Sequence, residues 1–532
     1  MLSKILVQNY RCFKNFELEF NEHLNIFVGD NEAGKSTLLE AVHLALTFRL
    51  NGKPFTQELS PYLINLEARD AYVAALRSGG KPVPPEVIID LFMVDSQEVA
   101  TLRGANNLAQ EDSVGVRVRA SFDSEFSEEY EEFTSDPSKV LLVPTEYYKI
   151  EWLGFSGNWI TGRSVPASAS FIDASTIRLH SGADQYLQDI ISQQLDRRER
   201  VELSRNYRSV REAFSDNESV KAINEKLSDA KGDISDRTLS LSIDISHRFT
   251  WESSLAPHLD ELPFQYVGSG EQNSLKILLA LNRKADEAHV VLIEEPENHL
   301  SFSSLNVLIS KISEKCADKQ VLLSTHSSYV LNKLGLDNLV LLSRDTVVRI
   351  TNLPASTEEY FKKLSGYDTL RLVLAKKVIL VEGPSDELVV QRAYKDRHGK
   401  LPIEDGVDVI NVRGLSAKRF LDISVLLGRR TAVVTDNDGK DPDDVRAAFA
   451  NYTDRAFVTV HVGDDPDLKT LEPQLFASNS LAVLNQLFET NFSAPEELLN
   501  YMANNKTTCA LAILETDESI SMPGYIADAV DI

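Results

Sequence analysis

The feature that most constrains the fold is the run Gly29-Asp30-Asn31-Glu32-Ala33-Gly34-Lys35-Ser36. It follows an apolar stretch, Leu24–Val28, and precedes a helical pattern over Ser36–Leu50. An apolar strand, then G-x-x-x-x-G-K-S, then a helix calls for a parallel sheet with helices on its faces. Backbone N–H groups of such a turn, and the helix N-terminus behind it, cradle phosphates. Lys35 would reach the β- and γ-phosphates and Ser36 would ligate Mg²⁺, with Gly29, Asn31, Gly34 and Thr37 completing the loop. The bland alternative is a Gly-rich turn with a chance lysine, and the strand-before, helix-after context argues against it.

Three further segments point the same way. Val290-Val291-Leu292-Ile293-Glu294-Glu295-Pro296 is an apolar strand ending in two acids, a Walker B pattern. Glu294 would stand near the Mg²⁺ and Glu295 would polarise the attacking water. Val267-Gly268-Ser269-Gly270-Glu271-Gln272 puts small residues and free N–H groups, at Ser269 and Gly270, where a helix begins, a second phosphate-binding surface. Leu323-Ser324-Thr325-His326-Ser327 puts His326 at a strand end, where it can sense a γ-phosphate; alone it would read as an ordinary loop histidine.

A different chemistry is written later in the chain. The buried-strand pattern Val378-Ile379-Leu380-Val381 ends in Glu382-Gly383, and the strand Thr431–Thr435 ends in Asp436-Asn437-Asp438. Asp386 follows Glu382 in a Glu-x-x-x-Asp arrangement at a strand-to-helix junction. Carboxylates crowded at strand ends repel one another unless cations neutralise them, and hard cations such as Mg²⁺ or Mn²⁺ want oxygen ligands. Glu382, Asp386, Asp436 and Asp438 are therefore candidate metal ligands for phosphodiester chemistry, with Glu382, Asp436 and Asp438 also catalytic candidates. Of 16 tyrosines, none sits where an attack on a phosphodiester could be defended.

The 532 residues allow about two to four domains. A net charge of −25 argues against indiscriminate binding to a phosphate backbone, so a nucleic-acid substrate would need metal ions and local basic patches. Arg197-Arg198-Glu199-Arg200, Lys362-Lys363, Lys376-Lys377 and Arg429-Arg430 are candidates, and each also reads as a solvated helix face or strand flank. No apolar run approaches the roughly 18 residues of a membrane span, and the N-terminus is too short and polar for a secretory signal. Cys12, Cys316 and Cys509 have no metal-ligand spacing and fit a reducing cytoplasm.

Strands are expected at 2–8, Val87–Phe92, Val116–Ala120, Val140–Val143, Leu339–Leu342 and Val347–Ile350. The texture from 183 to 232 turns polar with helical spacing, as at Tyr186, Ile190, Ile191 and Leu195, and reads as a helical insertion. It is a candidate for dimerisation, or a solvated decoration. Strand-like text resumes over 237–267, Pro354–Leu364 reads as a linker, and 376–475 alternates strand and helix.

In this order and spacing the phosphate-binding segments resemble an ABC-type ATPase head of the SMC/RecF kind. Gln8-Asn9-Tyr10-Arg11-Cys12-Phe13 resembles the first strand of such heads, whose arginine approaches the nucleotide, which adds Arg11 to the binding set. The resemblance implies ATP as cofactor. It also implies that Ser269 and Gly270 of one protomer complete the site of another, hence a homodimer or higher even oligomer. Two departures put transporter-like kinetics in doubt: Gly268-Ser269-Gly270-Glu271-Gln272 replaces Leu-Ser-Gly-Gly-Gln, and Glu294 replaces the usual aspartate. Gln97 is a weak candidate for the family's further glutamine and reads more readily as a surface residue.

The later carboxylate set is similar to the Toprim (topoisomerase–primase) pattern. An ABC head followed by Toprim resembles the OLD (overcoming lysogenisation defect) family of nucleases over nearly the whole chain. Gly366-Tyr367-Asp368-Thr369-Leu370-Arg371 and Lys506-Thr507-Thr508-Cys509-Ala510-Leu511 resemble its Gabija-type anti-phage branch. The resemblance implies two Mg²⁺ or Mn²⁺ ions cleaving double-stranded DNA. Glu472, in Thr470-Leu471-Glu472-Pro473, joins the ligands, and Lys506 stabilises charge on the scissile phosphate. It further implies nucleotide control, with ATP as a regulator whose sign is left open, and a helicase partner. The implied fold class is α/β: an ABC-type ATPase head over 1–180 and 237–355 with a helical insertion at 181–236, then a doubly wound parallel-sheet Toprim domain with a C-terminal helical segment over 356–532. Two other readings stay open: an ATP-driven DNA clamp or repair factor without nuclease activity, and a Toprim nuclease acting on RNA.

Overall fold

The computed structural model describes residues 1–162, 165, 169–173, 179–180, 183–184, 195–228, 258–282, 290–315, 319–342, 347–349, 353–363, 369–412 and 417–532. The first three strands, β1 (Leu2–Tyr10), β2 (Phe13–Glu19) and β3 (Leu24–Val28), are shared between two sheets. β2 and β1 join β4 (Val87–Met93), β5 (Ser113–Phe122) and β6 (Tyr148–Gly154) in an antiparallel sheet. β2 lies at its edge and alternates: Phe13, Phe16 and Leu18 are buried while Lys14, Asn15, Glu17 and Glu19 face water.

β3 is buried at all five positions and enters the second sheet, in the order β7 (Ala169–Asp173), β8 (Val290–Glu294), β9 (Gln320–Ser324), β3, β10 (Leu339–Leu342), β11 (Val347–Arg349). The first five run parallel and only β11 turns back. Helix α1 (Lys35–Thr47) lies between the two sheets, where Leu38, Leu39, Val42 and Leu46 pack in one core with Ile89 and Val116 of the first and Val290 and Leu322 of the second. Phe48, left-handed at φ 56°, ends the helix and stacks on Trp152, whose Nε1 donates to Ala45 O at 3.0 Å. The expected helix over Ser36–Leu50 therefore stops three residues early, and Arg49–Leu50 pairs as a short strand.

A third sheet of four parallel strands follows, in the order β13 (Val407–Asn411), β12 (Lys377–Val381), β14 (Arg430–Thr435), β15 (Val458–Val462). Helices between the strands and a run of C-terminal helices cover it. The α/β class, with mixed sheets first and a parallel sheet after, is as expected. Helices at Arg197–Ser215 and Glu218–Ser228 fall within the segment whose spacing reads as helical. Tyr186, Ile190, Ile191 and most of 237–267 lie outside the described residues.

Two expectations fail. Val140–Val143 is not a strand: Pro137 and Pro144 bracket it, and Val140 and Val143 bury as coil. Pro354–Leu364 is not a loose linker either. Ala355–Lys363 is a helix, and its Phe361 is fully buried against Phe420, in a core running from Ile26 and Val291 to Leu380 and Val433. Amphipathic spacing hidden behind Ser, Thr, Glu and Lys explains the misreading.

One buried charge pair tests the first sheet. Asp90, in the middle of the fully buried β4, sits opposite Arg117 of β5, which donates from Nε and Nη2 at 2.7 Å each. Leu108 N and Asn106 Oδ1 satisfy the remainder. Breaking such a pair strands a buried charge, so Asp90→Ala is expected to cost about 3–5 kcal/mol. An Asp90→Leu/Arg117→Met double variant should recover much of it, both read from urea unfolding midpoints.

Candidate functional site

The phosphate loop is built as its sequence requires. Gly34 has φ 99°, and a Cβ there would lie 2.6 Å from the Phe13 ring, so both its backbone and its space demand glycine. Lys35 Nζ turns back onto the loop, donating to Gly29 O at 3.0 Å and Asp30 O at 3.1 Å. Burial lowers the Lys35 pKa, opposed by the charges of Glu295, Asp30 and Glu294. Ser36 Oγ donates to Glu294 Oε1, so the two groups assigned to one Mg²⁺ already meet.

Glu295 follows at φ 45°, its N–H donating to Ser324 O at 3.0 Å across the β8–β9 junction. Its carboxylate accepts from Asn298 Nδ2 at 2.8 Å and stands 3.6 Å from His326 Nε2. Burial, and then the Lys35 charge, lower the His326 pKa. Arg11, Asn31, Gly34, Lys35, Ser36 and Thr37 share one cavity of about 500 Å³ with Glu295 and His326. Arg11 is held by Glu40 of α1, at 2.7 Å from Nε and 2.9 Å from Nη2.

Ser269 and Gly270 do not join this cavity. They open the helix Ser269–Asn282, where a Cβ on Gly270 would fall 2.2 Å from His299 O. Gln97 is exposed and outside it as well. Sequence reading missed Glu297. It is largely buried and its Oε1 accepts from Thr325 Oγ1 at 2.8 Å and His326 N at 2.7 Å, tying the two strand ends together. Its signal was a third acid after Glu294-Glu295-Pro296.

The carboxylates gather at the carboxyl ends of β12 and β14. Glu382 Oε1 accepts from Thr435 Oγ1 and, at 3.1 Å, from Asp436 N, which locks the two strand ends to one another. Asp386 Oδ2 accepts from Gly383 N at 3.2 Å, capping the helix Pro384–His398. Burial, then the Glu382 charge, push Asp386 up to about 6. Burial, then Asp386, Glu382, Glu472 and Asp438, push Asp436 up to about 8. Glu472 is buried at the start of the helix Leu471–Ser478, where Oε1 meets Lys506 Nζ at 3.0 Å and Oε2 accepts from Thr470 Oγ1 at 2.9 Å. The structure thus brings Glu382, Asp386, Asp436, Glu472 and Lys506 together, with Asp438 exposed at the rim, at φ 52°.

Among the described residues no three His, Cys, Asp or Glu side chains form a finished cation cage. The site nevertheless fits one, because Asp436 Oδ1 is buried with no hydrogen-bond partner. A buried acceptor amid like charges calls for a proton or a cation. Two residues beyond the sequence reading shape this site. Asn437 is fully buried and its Nδ2 donates to Gly463 O at 3.2 Å and Asp465 O at 2.8 Å, which pins the turn between Asp436 and Asp438. Tyr525, from the helix Gly524–Ala529, has a buried hydroxyl without a partner. Burial and then the charges of Asp436, Asp386, Glu382 and Glu472 raise its pKa well above the usual phenol value. Asn437 was visible between two aspartates; nothing in the sequence marked Tyr525.

Residues 4–288 match the AAA domain family, and residues 373–438 match the overcoming lysogenization defect protein-like TOPRIM domain. The chain is similar to the endonuclease GajA of Bacillus cereus, 27% identical over 165 residues, 30% of this chain and 28% of that protein. It is similar to an ATP/GTP phosphatase of Helicobacter pylori, 21% identical over 349 residues, 62% of this chain and 85% of that protein. It is also similar to the DNA replication and repair protein RecF of Alkaliphilus oremlandii, 33% identical over 73 residues, 14% of this chain and 19% of that protein. The matches to RecF and GajA span less than a third of those proteins' length. Among solved structures, the C-terminal region of the Xanthomonas campestris OLD protein aligns at 20% identity and TM-score 0.24, over 30% of this chain and 93% of that one. With the AAA match spanning more than half of its length, the chain belongs to the AAA domain family and carries an OLD-like Toprim domain behind it.

Proposed function

We propose that this chain is a nucleotide-regulated, divalent-metal-dependent DNA endonuclease serving anti-phage defence. The observation that carries the reading is the carboxylate set at the ends of β12 and β14, left with a buried, unpartnered Asp436 oxygen. The similarity to an endonuclease supports it. Glu382, Asp386, Asp436, Asp438 and Glu472 would hold Mg²⁺ or Mn²⁺, ions that activate water and steady a leaving oxygen when bound. Thr435 and the Asp436 N–H keep Glu382 oriented, and Asn437 fixes the turn that carries both aspartates. Lys506, half-exposed beside Glu472, is free on its outer side to meet a phosphate.

At the other site Lys35 and the loop amides would bind the triphosphate of ATP, and Glu295 would orient water, with His326 beside it. Ser269 and Gly270 lie outside the cavity, which fits a role in a second protomer's site and a homodimer or higher even oligomer. A helicase partner, double-stranded DNA as substrate and a cytoplasmic setting belong to the same reading. No described helix is long and apolar enough to cross a membrane. The second reading, an ATP-driven DNA clamp, draws on the similarity to RecF over 73 residues.

Supercoiled plasmid with Mg²⁺ or Mn²⁺ separates the two. Cutting by the wild type and its loss in Glu382→Ala, about 10²-fold or more for removal of a metal ligand, is expected. A Glu382→Ala protein that cuts normally sinks the nuclease assignment, and cutting of structured RNA alone would change the substrate. Lys35→Ala should abolish the response of cutting to an ATP titration while leaving nucleotide-free cutting intact; identical titrations in both proteins would refute the coupling.

Proton linkage gives a test without catalysis. Asp386 and Asp436 are raised to about 6 and about 8 in the fold, above the usual carboxylate value of about 4. The folded state then holds more protons than the unfolded one between these limits, so metal-free stability falls as pH rises from about 4 to 8. Asp436→Asn should flatten that decline in thermal midpoint, and saturating Mg²⁺ should do the same for the wild type.

A further inference from the structure

The cavity that holds the phosphate loop has a second wall that phosphate chemistry does not use. Tyr62, Ile64, Leu66 and Arg69 line it together with the phosphate-loop residues Asn31, Gly34, Lys35 and Ser36. Tyr62 sits in a single helical turn, Pro61–Leu63, with 71% of its surface exposed. That turn is firmly seated. Arg11 N donates to Leu63 O at 2.8 Å, Asn65 N to Asn9 O at 3.0 Å, and Asn65 Nδ2 to Arg11 O at 3.0 Å. Ile64 pairs with Tyr10 as an isolated bridge and is buried. The Tyr62 backbone is therefore carried on the same unit as Arg11. The Arg69 guanidinium stands 5.8 Å from the Tyr62 ring centroid, a cation against an aromatic face.

A triphosphate seated on Lys35 and the loop amides leaves its sugar and base to extend along the cavity. The wall they meet offers an aromatic ring on a fixed backbone, two aliphatic side chains and a guanidinium. We propose that Tyr62, backed by Arg69, is the stacking platform for the purine base of the bound nucleotide. This rests on the nucleotide-site reading above. An exposed ring carried on a seated backbone is costly to leave in water and is placed for a flat partner. Base–aromatic stacking needs only a π-face, so the platform adds affinity for the nucleoside without reading its edges.

Calorimetric titration of the full chain with ATP and with inorganic tripolyphosphate, both with Mg²⁺, tests this. Tyr62→Ala should weaken ATP binding about tenfold, the loss of one base stack, and leave tripolyphosphate within about twofold. Tyr62→Phe, which keeps the ring, should match the wild type. Unchanged ATP affinity in Tyr62→Ala overturns the platform while leaving the phosphate site standing. Equal losses for ATP and tripolyphosphate overturn it too, because the residue then shapes the cavity rather than the base. A wild type that binds neither ligand refutes the nucleotide site and this inference with it.

Discussion

Parallel strands buried on both faces can offer side chains to solvent only at their ends, and this constraint organises both sites. β8 and β9 are apolar throughout their interior and β3 is so apart from the buried Asn25, and Gly29, Glu294 and Thr325 stand at their carboxyl ends or just past them. β12 and β14 repeat the arrangement with Glu382 and Asp436. Loops at those ends bring together residues far apart in sequence: Ser36 meets Glu294, and Glu382 meets Thr435. The apolar strands do the positioning: Glu294, Glu295, His326, Glu382 and Asp436 stand at their ends or within two residues of them, and the loops and helices beyond supply Lys35, Ser36, Asp386, Glu472 and Lys506.

The two sheets are not hung on a tether. The helix Ala355–Lys363 buries Phe361 in a core with strands of both, and its Thr357 donates to Asp422 Oδ2 at 2.6 Å. Arg419 reaches back to Ser356 and Thr357 at 2.6 and 2.7 Å. Arg429, next to the first residue of β14, donates to Val373 O, and burial lowers its pKa against the opposing charge of Asp30 in the phosphate loop. Packed cores transmit displacement because they cannot deform continuously.

How far this was legible in the sequence differs by site. The phosphate loop reads directly, since Gly34 needs a positive φ and Lys35 a strand before it and a helix after. The Glu382 and Asp436 strand ends read almost as well, because buried parallel strands carry unbroken apolar runs. Glu472 and Lys506 were found only through resemblance: each is a single polar residue on a helix, and nothing local announces that they pair at 3.0 Å. Tyr525 and Glu297 were missed for the same reason, as their importance lies in neighbours supplied by distant segments. The helix at Ala355–Lys363 was misread because its polar face outweighs its few apolar residues in composition, though not in burial.

The acidity of the chain acquires a local meaning from this geometry. A net charge of −25 repels a phosphate backbone. The carboxylates at β12 and β14 add to that repulsion while they are ionised and bare, and burial responds by holding protons on Asp386 and Asp436. Either protons or divalent cations can relieve the crowding, but only cations leave the carboxylates able to act as ligands. On the nuclease reading proposed above, DNA approach and metal loading would be coupled by charge, since the cations that fill the carboxylate set would also remove a local barrier to a phosphate backbone. Lys506, paired to Glu472 at 3.0 Å and half-exposed, sets a positive charge beside that set.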